Sequence, residues 1–192
     1  MPMERAETRF VGLTFRVTSP RYSDLLRTAA MSRSFPGRFN TPSVGAVYVS
    51  LEPETAFEEL RRRGTRDGVS LTDMHPRSLF VIDLLLYQVV DLTLPGQLEA
   101  WGLFSHDLVG EEMDRCREVA DVAARAGAEG IRWPSATGSG KSIAVFLEQI
   151  RSGSRASIVR AFEITRNVLQ AIQEGESVRT LFPELTDIAP ST

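Results

Sequence analysis

The sequence predicts an α+β fold in a single domain, and three observations lead there. Val11, Leu13, Phe15 and Val17 alternate with Gly12, Thr14 and Arg16, the period of a half-buried strand. Met113, Cys116, Ala120 and Ala123 fall on one apolar helical stripe. Strand-like and helical segments alternate along the chain without the regular βαβ spacing that a doubly wound parallel sheet requires. The 192 residues suit one core, and neither an internal repeat nor a linker divides residues 1–192.

The elements follow in order. Arg16, in the first strand, points away from the core face. Thr18 to Asn40 carries Pro20, Pro36 and Gly37 and reads as a loop with a short helix over Tyr22 to Ala30. Connections this long are often functional. Val44 to Ser50 is a short strand, and Pro53 sits where a first helical turn tolerates proline, so a helix runs from Glu54 to Arg63 and ends at Gly64 and Gly68. Leu79 to Leu94 supplies one or two buried strands, closed by Pro95 and Gly96. The striped helix extends from Asp107 to Gly127, with Asp107, Glu111 and Glu112 at its positive end and Gly127 as C-cap. A short segment at Ile131 to Trp133, a Gly/Ser loop and strands over Ile143 to Gln149 and Ser157 to Ile164 complete the sheet. Thr165 then caps a helix to about Glu174, before Gly175.

Composition narrows the function. A content of 42% hydrophobic and 24% charged residues is that of an ordinary globular protein. The net charge of −3 gives no electrostatic reason to bind nucleic acid directly. Cys116 has no partner for a disulfide, and His75 and His106 lie too far from it for a local zinc motif, so no metal is expected. The N-terminus lacks a signal-peptide core, and the longest apolar block is interrupted by Asp83 and Gln88. A cytoplasmic protein without membrane attachment is the expectation. Every basic residue except Lys141 is arginine, a bias open to two readings, coding preference or phosphate clamps.

Three constellations bear on chemistry. Ala136 to Ser142 ends in the Gly-Lys-Ser of a phosphate-binding loop, but Ser135 stands where that loop's first glycine belongs, and Ile131 to Pro134 is a poor buried strand to lead into it. Serine hydrolase chemistry has no G-x-S-x-G elbow here and only two histidines to draw on. The third constellation is Phe35 to Asn40, with Tyr48 in the next strand and Glu58 and Glu59 in the next helix. An arginine from a glycine-containing loop suits a phosphate, a tyrosine ring suits a planar heterocycle, and a carboxylate suits ribose hydroxyls or a cationic transition state. Against this stands a solvated helix face on which Glu58 pairs with Arg62 and Glu59 with Arg63 at i,i+4.

The run Gly37-Arg38-Phe39-Asn40, the strand Ala46 to Ser50, Glu59 eleven residues after Tyr48, and Gly130 to Ala136 (GIRWPSA) together resemble the RES domain, the toxin of RES-Xre toxin–antitoxin pairs. The resemblance spans about Phe15 to Ile150. Phe39 stands where the family more usually has tryptophan, and Pro36 where it has a first glycine. The resemblance implies a fold similar to ADP-ribosyltransferase toxins and cleavage of the nicotinamide–ribose bond of NAD, with water or phosphate as acceptor. Transfer of ADP-ribose to a protein, or a catalytically silent nucleotide-binding module, are the alternatives. It further implies a cognate Xre-type antitoxin as partner, through which oligomers could form. Matched residue by residue, it implies Glu59, Arg38, Tyr48 and Ser135 as catalytic, and Arg16, Arg38, Tyr48 and Asn40 as binding NAD, the substrate. Glu59 would stabilise the sugar's developing positive charge and hold a ribose hydroxyl, Arg16 and Arg38 would hold the pyrophosphate, Tyr48 would stack on the nicotinamide or its ribose, and Ser135 would orient Glu59 or a ribose oxygen.

Overall fold

The computed structural model describes residues 7–136, 138 and 140–188. In chain order the elements are β1 (Glu7–Thr18), α1 (Leu25–Ser32), β2 (Val47–Ser50), α2 (Pro53–Asp67), β3 (Arg77–Asp91), α3 (Gln97–Ala100), α4 (Ser105–Val109), α5 (Asp114–Arg125), β4 (Gly130–Pro134), β5 (Lys141–Val145), β6 (Arg155–Ile164), α6 (Arg166–Gln173) and α7 (Val178–Leu181).

β1 lies antiparallel to β3 from Thr18↔Ser78 to Glu7↔Val90 and meets β2 at Phe15↔Ser50. β2 pairs with β5, β5 with β4, and β4 runs parallel to the end of β3. The order β1-β2-β5-β4-β3 therefore closes on itself through the β1–β3 pairing, and β6 adds to the other edge of β3. This mixed sheet, flanked by helices, is the α+β architecture the sequence predicts.

Side-chain alternation along the strands builds three cores. Phe80, Ile82 and Leu84 of β3 converge with Val47, Val49, Ile143 and Val145 between the strands of the ring. On the opposite face of β3, Leu79 and Val81 join Phe15 against Phe57 and Leu60 of α2 and Leu169 and Ile172 of α6. Cys116, Ala120 and Ala123 of α5 pack on Ile131, Trp133, Ala144 and Phe146, which covers the β4–β5 edge of the ring. The small side chains of α5 let the helix approach the sheet closely.

Several expectations are corrected. The helix expected over Asp107–Gly127 is two helices, α4 and α5. The chain breaks at Gly110, which has an extended backbone, because the last carbonyls of α4 are taken by arginine side chains from elsewhere. Glu111 and Glu112 consequently lie between helices. Gly64 does not end α2; it sits inside the helix, where a Cβ would come 2.6 Å from the Val69 carbonyl as the chain folds back. Gly68, at φ +67°, is the true C-cap. Of the one or two strands expected over Leu79–Leu94, one forms, β3, which ends at Asp91, with Leu92–Leu94 in the turn beyond it. The strand expected over Ile143–Gln149 ends at Val145 and turns into a 3₁₀ helix. Ile131–Pro134, read as a poor strand, is central to the ring because Ile131 is completely buried between β3 and β5.

Candidate functional site

β1 and β2 share one register pair and then part. Arg16 fills the wedge: its Nη1 donates to the Tyr48 carbonyl at 2.7 Å, in place of a strand-to-strand bond. Burial brings the Arg16 pKa down to about 10, with Arg63 adding repulsion and Tyr22 and Tyr48 opposing it. Its Nε is buried without a hydrogen-bond partner.

The loop after α1 is fastened by its own side chains. Asn40 is fully buried; its Oδ1 accepts the Gly37 N–H at 2.6 Å and the Tyr48 hydroxyl at 2.9 Å, while its Nδ2 donates to the Ser32 carbonyl at 3.0 Å. The Tyr48 hydroxyl in turn accepts the Phe39 N–H at 2.9 Å. Burial pushes the Tyr48 phenol well above its usual range, so the ring stays neutral. Gly37 is required here, since a Cβ would stand 2.7 Å from that hydroxyl. Phe39 packs on Trp133 with centroids 4.8 Å apart, and Tyr48 meets the same indole edge-on at 5.9 Å.

Arg38 reaches the end of α4, where its Nη1 donates to the Asp107 carbonyl and its Nη2 to the Gly110 carbonyl at 2.6 Å. Arg62 of α2 donates to the neighbouring Val109 carbonyl at 2.9 Å. Arg117 of α5 holds the loop from its other side through the Pro36 and Gly37 carbonyls. The loop, α2 and α5 are thus tied to one point at the α4–α5 break.

Glu59 lies on α2, half-exposed, and accepts a hydrogen bond of 2.6 Å from Ser135 Oγ at the end of β4. Ser135 is itself buried, and its N–H donates to the carbonyl of Gly140, the residue before β5, at 2.8 Å. The solvated-face pairing considered for this helix does not form: Glu58 pairs with Arg61 at 2.8 Å, and among the described residues Arg63 bonds to no carboxylate.

The site residues expected from sequence therefore join in two linked groups, Arg16–Tyr48–Asn40 and Glu59–Ser135. Trp133 connects them, touching Tyr48 and preceding Ser135 by two positions. Asn40, expected as a contact to NAD, is fully buried, with its amide bonded within the loop and to Tyr48. Arg38 is held by backbone carbonyls through two of its nitrogens. Sequence reasoning missed Arg62 and Arg117, whose partners are carbonyls distant in sequence and leave no pattern. Within the Gly/Ser loop, Thr137 and Ser139 lie outside the described residues. His75 follows a 3₁₀ turn, and His106 is exposed on α4, stacked on Phe104. Among the described residues no cluster of three His, Cys, Asp or Glu side chains forms, and no helix is long and apolar enough to cross a membrane.

The profile of the RES domain matches residues 13–167. Two curated relatives, each called NAD(+) phosphorylase MbcT, come from Mycobacterium bovis (strain ATCC BAA-935 / AF2122/97) and Mycobacterium tuberculosis (strain ATCC 25618 / H37Rv). Each is 28% identical over 142 residues, 71% of this chain and 76% of its own. In the crystal structure of the M. tuberculosis MbcT–MbcA toxin–antitoxin complex, one chain superposes with a TM-score of 0.76 at 23% identity, over 88% of this chain and 93% of that one. That likeness establishes a common fold.

Proposed function

Because the chain belongs to the RES domain family, we propose that it is a toxin enzyme that breaks the nicotinamide–ribose bond of NAD and transfers the ADP-ribosyl group to phosphate. The name of the mycobacterial relatives supports phosphate over water as acceptor. The observation that carries the reading is the half-exposed Glu59 carboxylate held in one orientation by Ser135.

The chemistry follows from the charge that develops. As the bond from C1′ to nicotinamide breaks, the sugar takes on oxocarbenium character, and nicotinamide leaves as a neutral ring, so no general acid is needed. Glu59 stabilises the cationic sugar electrostatically and accepts from a ribose hydroxyl. Ser135 fixes the carboxylate beforehand, which removes its reorientation from the barrier. Arg16, with its unpartnered Nε, attracts the diphosphate, and the remaining N–H groups of Arg38 close on it from the loop. Tyr48 presents its ring edge and face beside Trp133 to the nicotinamide riboside. Asn40 acts at one remove, as the positioning residue that sets Tyr48 and the loop.

On this reading a cognate antitoxin of Xre type covers the cleft, the toxin works in the cytoplasm, and any contact with DNA is made by the antitoxin. Incubating the purified chain with NAD and inorganic phosphate, and separating the products by chromatography, tests the proposal. Free nicotinamide with ADP-ribose 1″-phosphate is the expected result. Intact NAD after incubation with folded, antitoxin-free protein overturns it.

A further inference from the structure

Four arginines from four parts of the chain gather beside this site, and among the described residues none of them is paired with a carboxylate. Arg16 lies in β1, Arg21 in the turn that follows it, Arg63 on α2 and Arg77 at the start of β3. The register Thr18↔Ser78 sets Arg77 next to the turn that bears Arg21. α2 packs over β1 and β3, with Leu60 in one core with Phe15 and Leu79, and Arg63 stands one turn further along that helix. In keeping with this placement, the charge of Arg63 adds to the lowering of both the Arg16 and the Arg77 pKa, and that of Arg21 to Arg77. The Arg21 guanidinium lies over the Tyr22 ring at 4.9 Å. Among the described residues no acidic side chain bonds to any of the four, and Arg63 has no hydrogen-bond partner at all. Like charges so placed together make a locally positive surface that draws an anion.

Its place gives the anion a role. Arg63 follows Glu59 by four residues and so lies one turn along on the same helix face. Instead of neutralising Glu59, which is held by Ser135, it faces the other arginines. A second anion could not approach the Glu59 carboxylate without such compensation.

We propose that Arg63 and Arg77, together with Arg21, form the subsite for the inorganic phosphate that attacks the ribosyl carbon, next to Arg16, which serves the diphosphate. This rests on the phosphorolytic reading above and names the residues that hold the acceptor. In the step, an oxygen of the hydrogen phosphate dianion forms a bond to C1′ while the C1′–nitrogen bond breaks. The electron pair of that bond returns to the pyridinium ring, giving neutral nicotinamide, and the proton stays on the new phosphate ester.

The test is steady-state kinetics with NAD and phosphate varied independently, on the wild type, Arg63→Gln and Arg77→Gln, with calorimetric titration of inorganic phosphate alone into each protein. Arg63 is exposed, so Arg63→Gln retains the fold, which thermal melting checks. The expected result is a rise of about tenfold or more in KM for phosphate, the loss of one charge-assisted contact, with KM for NAD changed less than about twofold. Phosphate binding to the two variants should weaken in parallel, relative to the wild type. A rise in KM for NAD with KM for phosphate unchanged assigns the cluster to the dinucleotide and overturns the proposal, as does no change in either. If the wild type consumes no NAD, the functional reading has failed; titration then decides the anion site by itself, and equal phosphate affinity in all three proteins removes it.

Discussion

Ser135 and Glu59, 76 positions apart in the chain, are joined by a hydrogen bond of 2.6 Å that ties the end of β4 to the middle of α2. The contact orients a carboxylate that the helix alone would leave to sample several rotamers. Glu59→Gln keeps the shape but removes the charge that faces the developing cation, and a loss of about 100-fold or more in the rate of nicotinamide release is expected. Ser135→Ala should lower kcat by between about 10- and 100-fold, since it deletes one hydrogen bond to a charged group. Chromatography of released nicotinamide measures both, and near-normal turnover by Glu59→Gln would remove the assignment.

Tyr48→Phe separates the loop's architecture from its chemistry. The hydroxyl serves the Phe39 N–H and the Asn40 side chain at once. Its removal leaves both short of a partner and should cost about 1–3 kcal/mol in urea unfolding. An unchanged midpoint would show that the loop holds its place without the phenol.

Gly140→Ala reaches the site indirectly. A Cβ at Gly140 would overlap Thr55 Oγ1 at the start of α2, while the Gly140 carbonyl accepts the Ser135 N–H. The turn must shift, at about 1–3 kcal/mol for the overpacking, and Ser135 moves with it. Activity should fall toward that of Ser135→Ala, with KM for NAD little changed.

Two buried carboxylates predict the response to acid. Burial would raise the pKa of Glu129, but the N–H groups of Tyr87, Gln88 and Arg151 bond to it and bring it below its usual range. Burial would likewise raise Asp91, where Arg132 and Thr93 more than compensate. For each, the unfolded chain binds more protons than the folded one as pH falls through the carboxylate range. Their stabilisation is therefore complete at neutral pH and is lost below about pH 4. Urea midpoints followed from pH 7 to pH 3 should drop over that interval, and Glu129→Gln should be weaker at neutral pH with a flatter acid limb.

The strands around Phe15, Tyr48 and Ile82 were legible because their alternation is local, and the helix of Glu59 because Pro53 marks its start. The break at Gly110 was hidden: the stripe of Met113, Cys116, Ala120 and Ala123 extends a helical pattern backward, and nothing local announces that Arg38 and Arg62 will claim the α4 carbonyls. For Glu59 the local rule pointed to Arg63, and a serine far along the chain took the bond instead. Asn40 enters as a ligand contact through the resemblance of the Gly37–Asn40 run to the family, and nothing in that run shows its burial, which depends on Ser32 and Tyr48 converging on it.

The closure of the ring by β1 and β3 also sets an order on the birth of the activity. As the chain leaves the ribosome, β1, β2, α2 and β3 are complete by Asp91, so Arg16, Tyr48 and Glu59 can be assembled early. β2 then still lacks β5, and Glu59 lacks Ser135, until residues 130–145 have emerged. The Ser135–Glu59 contact is accordingly absent for most of the chain's synthesis and arrives together with β4 and β5, the last strands of the ring to be made.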